Sequence, residues 1–226
     1  MATPVEMFVG HLAVALGAKR VEPRLPLPAL VAAAFGLDIL WPVFLLVGLE
    51  VVRIDPGNTA FTSLDFASYP WSHSLLMSLV WGALGGHLTR VAFKSRAAGL
   101  VVATAIVSHW VLDFVVHRPD LPLWPGGPKV GLGLWNSIPG TLEIEGLLLA
   151  AGIFLYRSAT KAIDRQGTWA FVALLVALTG IWLSGPFSPP PPSETAIAIA
   201  ALLAAILIPL WAAWIERHRA PRRSWR

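Results

Sequence analysis

Cysteine is absent from the 226 residues, and only 13% of them are charged. Without thiols the chain can form no disulfide, no thiolate nucleophile and no cysteine-type zinc site, so any metal would have to be held by imidazole and carboxylate groups. Charge is scarcest where it matters most. All seventeen lysines and arginines lie at the ends of apolar segments or in the connections between them, so none is placed to neutralise an acid in mid-span. The net charge of +4 and a pI near 10 could suggest nucleic acid. The basic residues are scattered over loop ends and the tail rather than gathered on a folded face, which argues against that partner and makes the basicity a matter of membrane topology.

Apolar sequence is what the chain has in excess. With 56% hydrophobic residues and a mean hydropathy of +0.66, it reads as a polytopic membrane protein, an all-α transmembrane bundle of six to seven segments in one domain over residues 1–226. Hydropathy places a short first helix over Val5–Ala18, with Glu6 at its start, and spans near Pro26–Glu50, Tyr69–Leu88, Ala97–His117, Thr141–Tyr156, Trp169–Ser184 and Thr195–Ile215. The first segment's fourteen residues reach about 21 Å as a helix, short of a ~30 Å hydrocarbon core, so it is tilted, re-entrant or packed inside the bundle.

Basic residues divide the connections into two sets. Three lie in 19–24, three in 90–96, three in 157–165 and five after Ile215, which puts fourteen of the seventeen on one side. Arg53, Arg118 and Lys129 fall on the alternate connections. By the positive-inside rule this predicts a cytoplasmic C-terminus, the 51–68 and 118–140 loops being outside. The 118–140 loop reads either as a lid or substrate wall, or as an ordered connector with interfacial tryptophans. Most of the eleven tryptophans are expected in interfacial belts.

The polar residues stand out against this background. Ser108-His109-Trp110-Val111-Leu112-Asp113 sits in the apolar run Ala97–Val116, where an ionised Asp costs about 2.5–3.5 kcal/mol on insertion scales and needs a partner. His109 and Asp113 are four apart and share a helix face. Asp38 lies midway along the second span, His73 opens the third between Ser72 and Ser74, and His11 is inside the first helix. Four elements thus offer His11, Asp38, His73, His109 and Asp113 as ligands to a divalent metal, with zinc the best match to that donor set. Two carboxylates, neutral imidazoles and one divalent ion sum to zero charge. Asp38 or Asp113, if not a ligand, could serve catalysis by taking a proton from water.

Other polar residues have plainer readings. A His-x-x-x-Asp pair can simply lock two helices, and Asp38 could be protonated and bonded to a carbonyl. His117 borders Arg118 and can cap its span as readily as ligate. His87 reads as interfacial, His218 and Asp65 as solvated, and Asp55-Pro56-Gly57-Asn58 as a turn. Glu143 and Glu145 begin the fifth span, where an anion at a helix N-terminus is favourable, with Glu145 a reserve acid or base.

The order Gly10-His11, an Asp in the second apolar segment, Ser72-His73-Ser74-Leu75-Leu76 and Ser108-His109-x-x-x-Asp113 resembles bacterial membrane-bound metal-dependent hydrolases once described as LexA-regulated. The resemblance covers residues 1–125 and leaves the spans of 141–215 without a counterpart. It implies that His11, Asp38, His73, His109 and Asp113 are metal ligands. A fainter similarity to zinc-dependent phospholipase C implies a lipid or phosphoester substrate. The family often shows Pro-Asp-x-Asp in the second segment, whereas Gly36-Leu37-Asp38-Ile39-Leu40 has one Asp and no preceding Pro. The competing expectations are a transporter or proton relay using the same cluster, which broken helices would favour, and a scaffold in which the cluster only orients helices.

Overall fold

The computed structural model describes residues 8–222. The predicted start of the first helix, Val5 to Met7 with Glu6, lies outside them. The helices run α1 Phe8–Val21, α2 Leu27–Ala34, α3 Gly36–Leu46, α4 Pro70–His73, α5 Leu75–Phe93, α6 Arg96–Val116, α7 Ile138–Ala159, α8 Arg165–Ser184 and α9 Glu194–Arg217. Three two-stranded antiparallel pairs connect them: β1 Val51–Ile54 with β2 Leu64–Ser68, β3 Leu121–Pro122 with β4 Lys129–Val130, and β5 Thr160–Ala162 with β6 Arg219–Pro221. Helices α5, α6, α7, α8 and α9 are long and apolar enough to cross a bilayer, and α2 with α3 is a bent apolar pair with the length of a broken span or a re-entrant loop. Exposed leucines and valines such as Leu79, Leu88, Val176 and Leu207 give these helices a surface suited to lipid.

Local chemistry sets where the long helices begin. Ser74, Ser95, Ser137, Asp164 and Ser193 each stand at an N-cap and accept a backbone N–H from the first turn of α5, α6, α7, α8 and α9 respectively. The cap at Ser137 starts α7 earlier than the expected Thr141, which moves Glu145 from a helix start to the third turn, where it is fully buried. Its reading as an N-terminal surface anion is therefore corrected.

The first helix solves the length problem by burial. Val9, Ala15 and Leu16 of α1 are wholly inaccessible, and Gly152 of α7 lets the two helices touch backbone to backbone, since a Cβ there would stand 2.6 Å from Ala13 Cα. A helix sheathed by protein need not match the bilayer. At its far end Lys19 is buried, donating to the Leu25 carbonyl at 2.7 Å and pairing with Glu216 of α9 at 2.6 Å.

Two expected spans are interrupted. The second bends by 57° between α2 and α3, at Phe35, rather than running unbroken from Pro26 to Glu50. The third stops after the single turn α4, turns extended at Ser74 and restarts as α5. Both breaks lie beside candidate ligands. Among the tryptophans, Trp41, Trp110, Trp135 and Trp182 are core residues, while Trp71, Trp124, Trp169 and Trp214 are exposed. The 118–140 connection is an ordered, packed connector, with Trp135 accepting from the Phe61 amide through its carbonyl.

Helices α5 and α6 approach most closely at glycines, as small residues allow in membranes. A Cβ on Gly86 would stand 2.7 Å from the Gly99 carbonyl oxygen, and one on Gly99 would stand 2.6 Å from that of Gly86. Neither backbone can yield without separating the pair. Gly86→Val should therefore destabilise the bundle by about 3 kcal/mol in reversible unfolding from detergent micelles, against a loss under 1 kcal/mol for a valine at the open position Gly180, where a Cβ meets nothing within 4 Å.

Candidate metal centre

Five side chains from α1, α3, α4 and α6 converge in the half of the bundle nearer the β1–β2 and β3–β4 hairpins. His11 Nε2 lies 3.2 Å from Asp113 Oδ1, and His109 Nε2 lies 3.3 Å from Asp113 Oδ2 and 3.4 Å from Asp38 Oδ1. His73 Nε2 is 3.5 Å from Asp38 Oδ1 and 3.8 Å from Asp113 Oδ2. All five expected residues are thus brought together. Every histidine presents Nε2 to the carboxylates, and among the described residues no lysine or arginine pairs with either acid.

Each break has a local use. The bend at Phe35 places Asp38 in the first turn of α3, where the helix dipole favours an anion. It also turns the Ala34 carbonyl, the last of α2, onto His109 Nδ1 at 2.8 Å. A carbonyl only accepts, so His109 carries its proton on Nδ1 and aims Nε2 at the acids. The turn α4 begins with Pro70 and holds Ser72 and His73 before Ser74 redirects the chain into α5.

Glu50, which sequence patterning did not single out, fixes the third imidazole. Its carboxylate accepts from the Trp71 amide at 2.8 Å, the Ser72 amide at 2.7 Å and the Ser72 hydroxyl at 2.6 Å. With its proton directed at Glu50, Ser72 Oγ can only accept from His73 Nδ1, 2.7 Å away, which in the neutral ring makes Nε2 the lone-pair nitrogen facing the acids. Burial pushes the Glu50 carboxyl up from its ordinary value, against the Ser72 hydroxyl, which pulls it down. No spacing rule links Glu50 to Ser72. The only sequence signal is an acid closing an apolar segment ahead of Ser-His-Ser.

A bare imidazole nitrogen facing a carboxylate sets lone pair against lone pair, an arrangement that a cation between them relieves. His11 and His109 also stack at 3.6 Å with planes 9° apart, so two imidazolium rings would repel face to face. Buried atoms without hydrogen-bond partners include His11 Nδ1, Asp38 Oδ1 and His109 Nε2. Ligands bound at ~2.0–2.1 Å to a tetrahedral zinc ion stand about 3.3 Å from one another, close to the 3.2–3.8 Å seen here. The donors fall into two overlapping groups, His11 with His109 and Asp113, and Asp38 with His73 and His109. The arrangement fits a divalent metal.

Remaining candidates lie elsewhere. His117 is not a ligand: its Nδ1 faces Asp120 at 3.0 Å and the Tyr69 hydroxyl at 3.2 Å, and its ring packs 4.4 Å from Trp135. Burial works to raise Asp120, but hydrogen bonds from His117, Arg118 and Tyr69 outweigh it and hold the carboxyl below its ordinary value. Asp65, expected to be solvated, is bound by Arg118 at 2.5 Å. His218 is likewise engaged, with Asp164 at 2.8 Å, while His87 is exposed as expected. Glu145 is enclosed near the centre, and neither of its oxygens has a hydrogen-bond partner among the described residues.

No protein-family model, curated protein or solved structure matches the chain. Function is therefore read from the site itself.

Removing Glu50 leaves two amides and a hydroxyl without their acceptor. Glu50→Ala should cost about 3 kcal/mol in detergent unfolding, and Ser72→Ala, which strands fewer groups, about 1 kcal/mol. Equal stability of all three proteins would show that Glu50 does not organise the turn.

Proposed function

We propose that the protein is a metal-dependent hydrolase acting on a membrane-associated ester or phosphoester, with His11, His73, His109, Asp38 and Asp113 around a divalent ion, zinc being the best match to that donor set. The observation that carries this reading is the convergence of three Nε2 atoms on two carboxylates with no basic side chain among them. The resemblance in motif order to the LexA-regulated membrane hydrolases supports it. An ion held there would polarise a carbonyl or phosphoryl oxygen and make water more acidic.

The chain's own residues divide the remaining work by exposure. Three imidazoles and Asp113 are enclosed, with side chains no more than 5% accessible, whereas the Asp38 side chain is 18% accessible. Asp38 Oδ1 faces His73 and His109. Its Oδ1 is buried, and the partly accessible remainder of the carboxyl would take a proton from water as general base. Asp113 faces His11 through one oxygen and His73 and His109 through the other, so it would join the three imidazoles in holding the ion. The helices that wall the centre expose apolar side chains, among them Val43 and Leu46 on α3 and Leu76 on α5, which suits a substrate arriving from lipid.

In the cell we place the protein in a bacterial inner membrane. The end of the bundle that carries the 19–24, 90–96 and 157–165 connections and the end of α9 would face the cytoplasm, and the β1–β2 and β3–β4 hairpins and the centre would face outward.

One observation favours a second reading. The break between α2 and α3 at an intramembrane acid is a feature of ion-transport sites, so a cation or proton relay through Asp38, His109 and Asp113 is the alternative.

The test is metal analysis of detergent-purified protein joined to an ester and phosphodiester hydrolysis screen. Stoichiometric divalent metal is expected in the wild type and absent from Asp113→Ala, while Asp38→Asn should keep the fold and lower kcat by roughly 10²–10⁴-fold. A folded, metal-free wild type sinks the proposal. Metal binding with cation flux in proteoliposomes and no hydrolysis would select the relay.

A further inference from the structure

The alternate connections contribute only three basic residues, Arg53, Arg118 and Lys129, and the fold brings all three to one cavity. They come from three separate segments: Arg53 from β1, Arg118 from just beyond α6, and Lys129 from β4. The cavity measures about 490 Å³, within the range of small-molecule sites, and Asp65, Phe66 and Asp120 complete its wall. The two acids are already committed. Arg118 binds Asp65 at 2.5 Å and Asp120 at 3.1 Å, which leaves the cavity with two further cations. Arg53 stands opposite Asp65 in the strand register but forms no ion pair within 4.0 Å among the described residues, and Lys129 donates only to the Ala67 carbonyl at 3.0 Å. Both side chains are exposed.

Chance scatter along two loops would not gather every cation of that side into one concavity while pairing only one of them. A phosphate or phosphate ester fits what the walls offer: two unpaired cations, and an arginine held in place by two carboxylates. The cavity also abuts the His/Asp centre. Asp120 accepts from the Tyr69 hydroxyl at 3.1 Å, and the Tyr69 ring lies 5.3 Å from that of His73.

We propose that this cavity binds the phosphate of an anionic group, and that in the cell it seats the phosphorylated headgroup of the substrate while the bond to be cleaved reaches the His/Asp centre. The second clause rests on the hydrolase reading; the first does not. Arg53 and Lys129 supply the attraction, and Arg118, locked by Asp65 and Asp120, supplies a fixed donor. Substrates would then be selected by headgroup charge at a place separate from the chemistry.

The experiment measures binding rather than turnover, so that it survives failure of the hydrolase assignment. Full-length protein in neutral detergent is titrated calorimetrically with inorganic phosphate, with dihexanoyl phosphatidic acid below its micellar concentration, and with dihexanoyl phosphatidylcholine. The wild type should bind phosphatidic acid at least tenfold more tightly than phosphatidylcholine. Arg53→Gln/Lys129→Gln, whose side chains hold no structural ion pair, should lose about tenfold in affinity for phosphatidic acid, while Lys161→Gln/Arg165→Gln at the opposite end should lose none. Asp38→Asn should bind as the wild type does, which separates this site from the catalytic assignment. Comparable affinity for inorganic phosphate identifies the phosphate group as the whole ligand, and preference for the lipid identifies a headgroup with its glycerol. Equal affinities in wild type and Arg53→Gln/Lys129→Gln, or equal losses in both double variants, would overturn the proposal.

Discussion

Two carboxylates held against three imidazoles in a region without lysine or arginine set the terms for the rest of the molecule. Asp38 and Asp113 each come within hydrogen-bonding or near-contact range of at least two histidines, and the protein around them excludes the water that would otherwise solvate the charge. Desolvated anions are costly, and either protons or a metal must balance them. The tautomers imposed from outside the cluster make metal the better balance. Ala34 takes the Nδ1 proton of His109 and Ser72 takes that of His73, so in the neutral rings the nitrogens nearest the acids are lone pairs.

Much of the architecture follows from holding that cluster in place. The helix α1 is short because it is enclosed, and enclosure lets it carry His11 to the centre at one end and Lys19 to Glu216 at the other. The broken second span spends its kink on the site, presenting a carbonyl to one ligand and a helix start to another. A straight helix over the same residues would keep the Ala34 carbonyl in its own hydrogen-bond ladder. The glycine seam between α5 and α6 draws the helix bearing His109 and Asp113 against the one that begins beside His73.

The cluster and the hairpin cavity form a graded path from the aqueous edge inward. Exposed Arg53 and Lys129 give way to the Arg118 pairs, then to the buried Tyr69–His117–Asp120 contacts, and then to the His/Asp centre. The Tyr69, His117 and Asp120 contacts are buried, while Asp38 keeps some exposure at the centre. An arrangement of this kind suits a substrate with a charged head and a reactive bond set deeper, which is the geometry of a lipid at an interface.

Sequence alone determined the membrane class, the approximate places of the long apolar helices, the division of basic residues between connections, and the five residues that converge. Those features depend on composition and on short-range periodicity: apolar runs declare spans, and an Asp in oil four residues from a His declares a shared face. Tertiary structure decided the kink at Phe35, the restart at Ser74, the burial of Glu145, the departure of His117 into a separate network, and the partnership of Glu50 with Ser72. None of these is periodic. A kink with no proline at the bend itself depends on what the freed carbonyl meets across the bundle, and Glu50 reaches Ser72 only because two chain segments twenty-two residues apart are packed together. Local pattern can mark which groups need a partner, but only the fold brings that partner within reach.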